Sequence, residues 1–441
     1  MKPYIHIILT SLLLASCSLA DEPVENCYDT DSDGNVMLSF RMLTPAVDSR
    51  SRADDQNHDE VDSEYLRFED GIDMSDIGMF VFAKMANAAG NEKLVLKVTD
   101  FPTGDGAENV QVSGGAGSYT VNITFGRTQL ASLLGRELEP NGAEMVQFRI
   151  LMVANSSDRA AIATDRLNEI TGDTYTAVIN QLEPWIYSMS DLCNFNPAVV
   201  DQSPLSGMVT DLYPGDRKCM PMFGTNTFRV SQRSLCNSTE LGRAYLGEMD
   251  MLRSLAKIRL IDNISNKNEA GYPKIISADL VGTQQAIHVL PYGALTYINA
   301  TQVHTPVIAD TDLESENRVN SVYGLGIIPA SWTDIPAQSR KGNIFVGYAP
   351  EMSIRTTDAQ TGEGLPAYRI NIALSRKADG TEVTREYIVP MTGYEDNSLN
   401  FGDYILRNHI YTLSINSVAN SLVTFNVAVK EWRTIDYEYE Y

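Results

Sequence analysis

What most constrains this chain is a succession of short apolar runs, five to nine residues each, separated by turn-forming residues. Val36–Leu43 (VMLSFRML), Ile77–Lys84 (IGMFVFAK), Lys93–Val98, Tyr119–Phe125 and Val146–Ala154 carry the β-branched and aromatic content of strands. Ala256–Ile261, Ile275–Val281, Ala286–Leu290, Ile344–Tyr348, Ala367–Leu374, Glu382–Val389, Ile410–Val418 and Leu422–Val429 continue the series. Helical signals are fewer: Thr128–Glu137, and Ser157–Ile170 with Ser157 or Asp158 as N-cap. Many short strands with turns between them predict a mainly β protein of packed sandwiches with a few short helices.

Glu183–Gly224 holds Pro184, Pro197, Pro204, Pro214 and Pro221, which places a domain junction there. The expected division is a domain over 36–190 and another over 191–441.

The first residues read as a targeting signal. A Lys2-led apolar run ends in Leu14-Ala15-Ser16-Cys17, which fits a bacterial lipobox, over residues 1–16. Cys17 is then the acylated first residue, each buried CH₂ of its chains contributing roughly 0.8 kcal/mol to anchoring. An ordinary signal peptide with a cysteine near its end is the alternative. No later apolar run approaches the roughly 20 residues of a membrane helix.

The net charge is −23, which makes nucleic acid an unsuitable partner. Between Asp21 and Asp76 there are 17 acidic and 4 basic residues, a net −13. Such a segment stays solvated, and residues 17–35 read as an acidic spacer before the first strand. Its Asp29-Thr30-Asp31-Ser32-Asp33-Gly34-Asn35 opens like a calcium loop, but the twelfth position is Phe40, so the spacer reading is preferred.

Cys27, Cys193, Cys219 and Cys236 allow three disulfide pairings, and isolated thiols are the equal alternative. No HExxH, GxSxG or phosphate loop is present, and His58, His288, His304 and His409 are scattered. His409 reads as a packed or hydrogen-bonded structural residue. No catalytic site, cofactor or metal is expected.

Several segments together resemble the fimbrillin superfamily, the lipoprotein-derived pilins of Bacteroidia-type (type V) fimbriae. They are Leu406-Arg407-Asn408-His409-Ile410-Tyr411 with two strands and Trp432 after it, Leu252-Arg253-Ser254-Leu255-Ala256-Lys257-Ile258, Met220-Pro221-Met222 and Val153-Ala154-Asn155. The lipobox and the early strand Val36–Leu43 complete the pattern. The resemblance implies two tandem transthyretin-like or Ig-like sandwiches, export to the outer membrane as a lipoprotein, and assembly with other fimbrial subunits by donor-strand exchange. It also implies cutting after an arginine beyond the first strand, for which Arg50 and Arg52 are candidates. Thr434–Tyr441 (TIDYEYEY) alternates like a strand with one buried face and makes a reasonable donor. Stalk, tip and anchor roles, and a host or bacterial surface ligand, stay open. The rival reading is a surface glycan-binding lipoprotein of a nutrient-uptake system, with Trp185 and Trp332 as candidate sugar platforms. A third, an acid-dependent hydrolase, rests only on the abundance of carboxylates.

Overall fold

The computed structural model describes residues 34–43, 72, 76–99, 109–115, 118–155, 167, 169–183, 186–188, 220–238, 242–264, 274–281, 286–291, 322–324, 326–328, 342–353, 355–357, 364–366, 369–378, 381–390, 404–419 and 422–431. The first half holds strands β1 (Asn35–Leu43), β2 (Ile77–Met85), β3 (Lys93–Val98), β4 (Val110–Gly115), β5 (Ser118–Gly126), β6 (Met145–Ala154), β7 (Ile186–Ser188), β8 (Met222–Ser231), β9 (Ala244–Asp250) and β10 (Leu252–Arg253). Helices α1 (Arg127–Leu134), α2 (Tyr175–Leu182) and α3 (Gln232–Cys236) lie among them. The second half holds β11 (Leu255–Asp262), β12 (Lys274–Val281), β13 (Ala286–His288), β14 (Val322–Gly324), β15 (Gly326–Ile328), β16 (Ile344–Pro350), β17 (Met352–Ser353), β18 (Arg355–Thr357), β19 (Gly364–Pro366), β20 (Arg369–Ala378), β21 (Thr381–Pro390), β22 (Tyr404–Ile405), β23 (His409–Ala419) and β24 (Leu422–Glu431).

Two sheets form the first sandwich, in orders β4-β5-β1-β9 and β10-β8-β6-β2-β3. One core joins their facing sides: Leu38, Phe40, Val121 and Ile123 of the first sheet meet Met79, Val81, Phe148 and Ile150 of the second. The second sheet is covered on its other face too. Phe80 and Phe82 point there, beneath α2 and beside Val289, Leu290, Tyr348 and Ile410 of the second half. Tyr175 at the start of α2 meets Phe82 edge-on at 5.6 Å and lies under the Arg149 guanidinium, 4.3 Å from its ring centre. The unbroken apolar run of β2 has this double burial as its cause.

The second sandwich has sheets in orders β15-β16-β11-β23-β24 and β14-β12-β20-β21. Its central β11 is buried along all eight residues.

Two expectations change. The strands β8, β9 and β10 lie beyond residue 190, yet they hydrogen-bond into the first two sheets. The first sandwich therefore reaches Arg253, and the proline-rich stretch precedes three of its own strands. Proline content marks a long connection; it carries no information on which sheet the chain rejoins. The first helix also stops at Leu134, three residues before the expected end at Glu137, because Gly135 adopts φ 70° and turns its N–H back to Ala131 and Ser132. The expected second helix, Ser157–Ile170 with its caps, falls mostly outside the described residues.

Candidate functional site: the first strand and a polar junction

β1 lies between two strands of its sheet. It pairs antiparallel with β5 over Asn35–Leu43 and parallel with β9 over Leu38–Leu43. Its side chains alternate strictly: Val36, Leu38, Phe40 and Met42 are fully buried, and the residues between them face outward. Phe40 sits near the middle, its ring 6.4 Å from that of Phe228 on the opposite sheet. It stands where a calcium loop would need a carboxylate; Asp29–Asp33 lie outside the described residues.

The slot has defined ends. At its start, the Arg127 N–H donates to the Gly34 carbonyl at 3.0 Å. The Arg127 guanidinium lies so close to Gly34 that a Cβ there would meet it at 3.1 Å. The Met37 N–H, which precedes the first residue paired with β9, donates to Ser238 Oγ at 2.9 Å. At the far end the Met251 N–H donates to the Leu43 carbonyl at 2.8 Å. On the outer face, Arg41 spans the sheet, reaching Glu248 of β9 at 2.9 Å and Ser118 of β5 at 3.0 Å.

A bulge shapes the β9 wall. Ser39 faces Tyr245, but Phe40 faces Gly247, so Leu246 is an extra residue. Gly247 has φ 131°, where glycine is favoured, and an added Cβ would meet the Phe228 ring at 3.3 Å. The bulge changes the parity of β9. Ala244 and Met249 are both buried although five residues apart, and Glu248 stays outside beside Arg41. Burial, then the neighbouring Glu248 charge, raise the pKa of Tyr245. Sequence reading missed β9 and its bulge; Gly247 breaking an apolar run (AYLGEMD) is the available signal.

The four motifs behind the resemblance converge elsewhere, where the sandwiches meet. Asn155, at φ 59°, donates its amide to the Met220 carbonyl at 2.7 Å. Ser254 gives both its N–H and its hydroxyl to the Pro221 carbonyl, each at 2.9 Å. The Asn408 N–H donates to the Leu255 carbonyl at 2.9 Å, with Asn408 at φ 55°. Arg407 is the centre of this region. Its Nε is 2.9 Å from the Glu351 carboxylate, with both side chains buried, and its two terminal nitrogens donate to the carbonyls of His288, Val289 and Leu290 at 3.1 Å. His409 is buried and hydrogen-bonded through Nδ1 to the Arg407 carbonyl at 2.8 Å, the structural role expected of it. The Tyr411 hydroxyl accepts from the Leu406 N–H at 2.9 Å; burial, with the Glu351 charge adding, pushes its pKa far above the ordinary tyrosine value. Glu351 carried no signal in the sequence, because a lone carboxylate resembles any other among 57 acidic residues.

Cys236 is a thiol buried in the first core beside β1. Cys17, Cys27, Cys193, Cys219, Arg50, Arg52, His58, His304, Trp185, Trp332, Trp432 and Thr434–Tyr441 lie outside the described residues. No helix among the described residues is long and apolar enough to cross a membrane.

No known family model and no curated protein matches the chain. Among solved structures it is similar to a candidate cell adhesion protein of Parabacteroides distasonis ATCC 8503, at 12% identity over 92% of this chain and 100% of that one, with a TM-score of 0.43. A fimbrial assembly protein of the same strain is similar at 12% identity over 90% of this chain and 96% of that one, with a TM-score of 0.37. Candidate polysaccharide binding proteins of Bacteroides thetaiotaomicron VPI-5482 are similar at 10% identity over 91% of this chain and 99% of the other, with a TM-score of 0.29. Scores below 0.5 leave these as distant likenesses of form.

Proposed function

We propose that the chain is a structural, adhesion-related subunit of a cell-surface fimbria, exported as a lipoprotein through Cys17 and assembled by donor-strand exchange. It has no catalytic role in this reading. The observation that carries it is the placement of β1. This strand is held between β5 and β9 by its backbone ladders and four inward side chains. Only the segment 44–71, which contains Arg50 and Arg52, leads from it to the next described residue. One cut there removes the backbone connection between β1 and the rest of the sandwich.

An emptied slot is not stable in water. Four fully buried side chains at roughly 1.5–3 kcal/mol each amount to about 6–12 kcal/mol of apolar burial, an upper estimate. Unpaired backbone groups on β5 and β9 add to the demand for a replacement, and a strand from a neighbouring subunit answers both needs. Adding a strand to a sandwich also explains how a chain without catalytic motifs does useful work at a surface.

The test is the N-terminus of the protein in fibres isolated from its own cell surface, read by intact-mass and peptide mass spectrometry. The expected start is Ser51 or Ala53. Fibres whose subunits all keep β1 on an acylated Cys17 would overturn the exchange step, leaving a tethered subunit.

A further inference from the structure

We infer that the strand which fills this slot comes from a different polypeptide, and not from Thr434–Tyr441 of another copy. This inference rests on the donor-strand reading above. It follows from comparing the two faces of the slot with the residues of that segment.

The inner face is dry. Val36, Leu38, Phe40 and Met42 are fully buried in a cluster of aliphatic, methionine and phenylalanine side chains with Cys236, Tyr119 packing at its margin, and none of the four carries a polar atom that needs a hydrogen-bond partner. If TIDYEYEY takes their place with its apolar set inward, Ile435, Tyr437, Tyr439 and Tyr441 enter. Three phenol hydroxyls then enter a space lined by Val81, Phe148, Ile150 and Phe228, none of whose side chains can accept a hydrogen bond. Leaving a buried donor unsatisfied is costly. Sliding the segment by two residues keeps the same set inward and still puts at least two tyrosines into the slot.

The outer face is selective by charge. The outward residues of β5 beside β1 are Ser118, Thr120, Asn122 and Thr124, all neutral. Those of β9 include Glu248 and Asp250, which face the places of Arg41 and Leu43. β1 meets them with a base: Arg41 bridges Glu248 and Ser118. The outward residues of TIDYEYEY after Thr434 are Asp436, Glu438 and Glu440. This holds whichever way the strand runs, because direction does not change which residues share a face. Reversing the faces puts three carboxylates into the core, which is worse.

The fitting partner is therefore a strand with aliphatic or phenylalanine residues at alternate positions. Its outward residues are neutral, with a lysine or arginine beside Glu248. A subunit that accepts such a strand and offers an acidic tyrosine-rich one joins two unlike neighbours.

The full-length protein, nicked by trypsin between Leu43 and Ile72, is incubated with fluorescent peptides and exchange is read by anisotropy and native mass spectrometry. The peptides are GNVMLSFRML (residues 34–43), its R41E form, and TIDYEYEY. The first is expected to enter the slot, the R41E form about fivefold more weakly, and TIDYEYEY at least about 100-fold more weakly. The nicked protein alone is expected to stay monomeric. Uptake of TIDYEYEY within about threefold of GNVMLSFRML, or a ladder of copies formed by the nicked protein alone, would overturn the inference while leaving donor-strand exchange standing. Failure of every peptide to enter would remove the exchange reading itself, and this inference with it.

Discussion

The slot of β1 and the junction around Arg407 are both buried, yet they are built on opposite principles. The slot is apolar inside and asks for a pattern: four side chains of suitable bulk at alternate positions. The junction is polar inside and asks for identities: an arginine where three carbonyls and a carboxylate converge, and asparagines at φ 59° and φ 55°. A pattern is satisfied by many sequences, which is the property the proposed strand exchange requires of the slot. A fitted polar cluster has few substitutes, so the junction holds the two sandwiches in one arrangement. If β1 is exchanged as proposed, this separation leaves the junction between the sandwiches untouched.

The sharpest way to break this contrast is Arg407→Ala. It strands the Glu351 carboxylate and three carbonyls, and a loss of about 3–5 kcal/mol is expected in denaturant unfolding. Replacing both Arg407 and Glu351 with methionine should cost clearly less than the single change, because no charge is then left buried alone. A single change no more damaging than the double one would mean that the junction is held by packing and not by its ion pair.

Phe40→Ala tests the other side. A cost of about 3 kcal/mol is expected, at the low end for a buried phenylalanine, because Phe228 and Met249 border the space and can relax into it. In the intact chain the cost appears as lowered stability. After a cut at Arg50 or Arg52 it should instead appear as faster release of the 34–43 strand, measured by size exclusion. Equal release from wild type and variant would show that the slot is not what retains the strand.

These two sites also show how much of the molecule the sequence discloses. β3 was expected at Lys93–Val98 and is found there, and β1, β2, β5 and β6 differ from expectation by one residue at one or both ends. Alternation within a strand is local information, so it survives in the sequence. The membership of β8–β10 in the first sandwich is not local: it depends on where the chain returns after a long connection, and the prolines of that connection suggested a boundary instead. The bulge at Leu246 sits between these cases, signalled only by Gly247. At the junction the motifs were visible but their meeting was not. Segments near residues 155, 221, 254 and 408 are spread over most of the chain, and only the fold brings them together. Their partner Glu351 left no trace.

Tyr411→Phe probes the junction by pH. Burial holds this phenol well above its ordinary value near 10, so the folded chain keeps a proton that the unfolded chain loses. The contribution is therefore complete below about pH 10 and is lost as the pH rises through the folded value. Removing the hydroxyl leaves the buried Leu406 N–H without this acceptor, at about 1–2 kcal/mol near neutrality. It should also flatten the fall of stability on the alkaline side. An unchanged alkaline limb in thermal scans would show that Tyr411 stays protonated in both states or that other groups dominate.

The smallest effect is expected at Arg41, and it is the most telling for the slot. Arg41 and Glu248 are both well exposed, so the pair contributes only about 0–1 kcal/mol and is screened by salt. Arg41→Ala should hardly move the unfolding midpoint, in contrast with Arg407→Ala, although both remove an arginine paired with a glutamate at 2.9 Å. Water, not geometry, separates the two cases. On the proposed exchange, the same weak pair would matter more for choice than for stability: a few tenths of a kcal/mol beside Glu248 and Asp250 would bias the slot against strands with outward carboxylates. If Arg41→Ala destabilised the chain as much as Arg407→Ala does, β1 would be fastened by its outer face. The slot would then be a second polar lock, and the distinction between a replaceable strand and a fixed junction would fail.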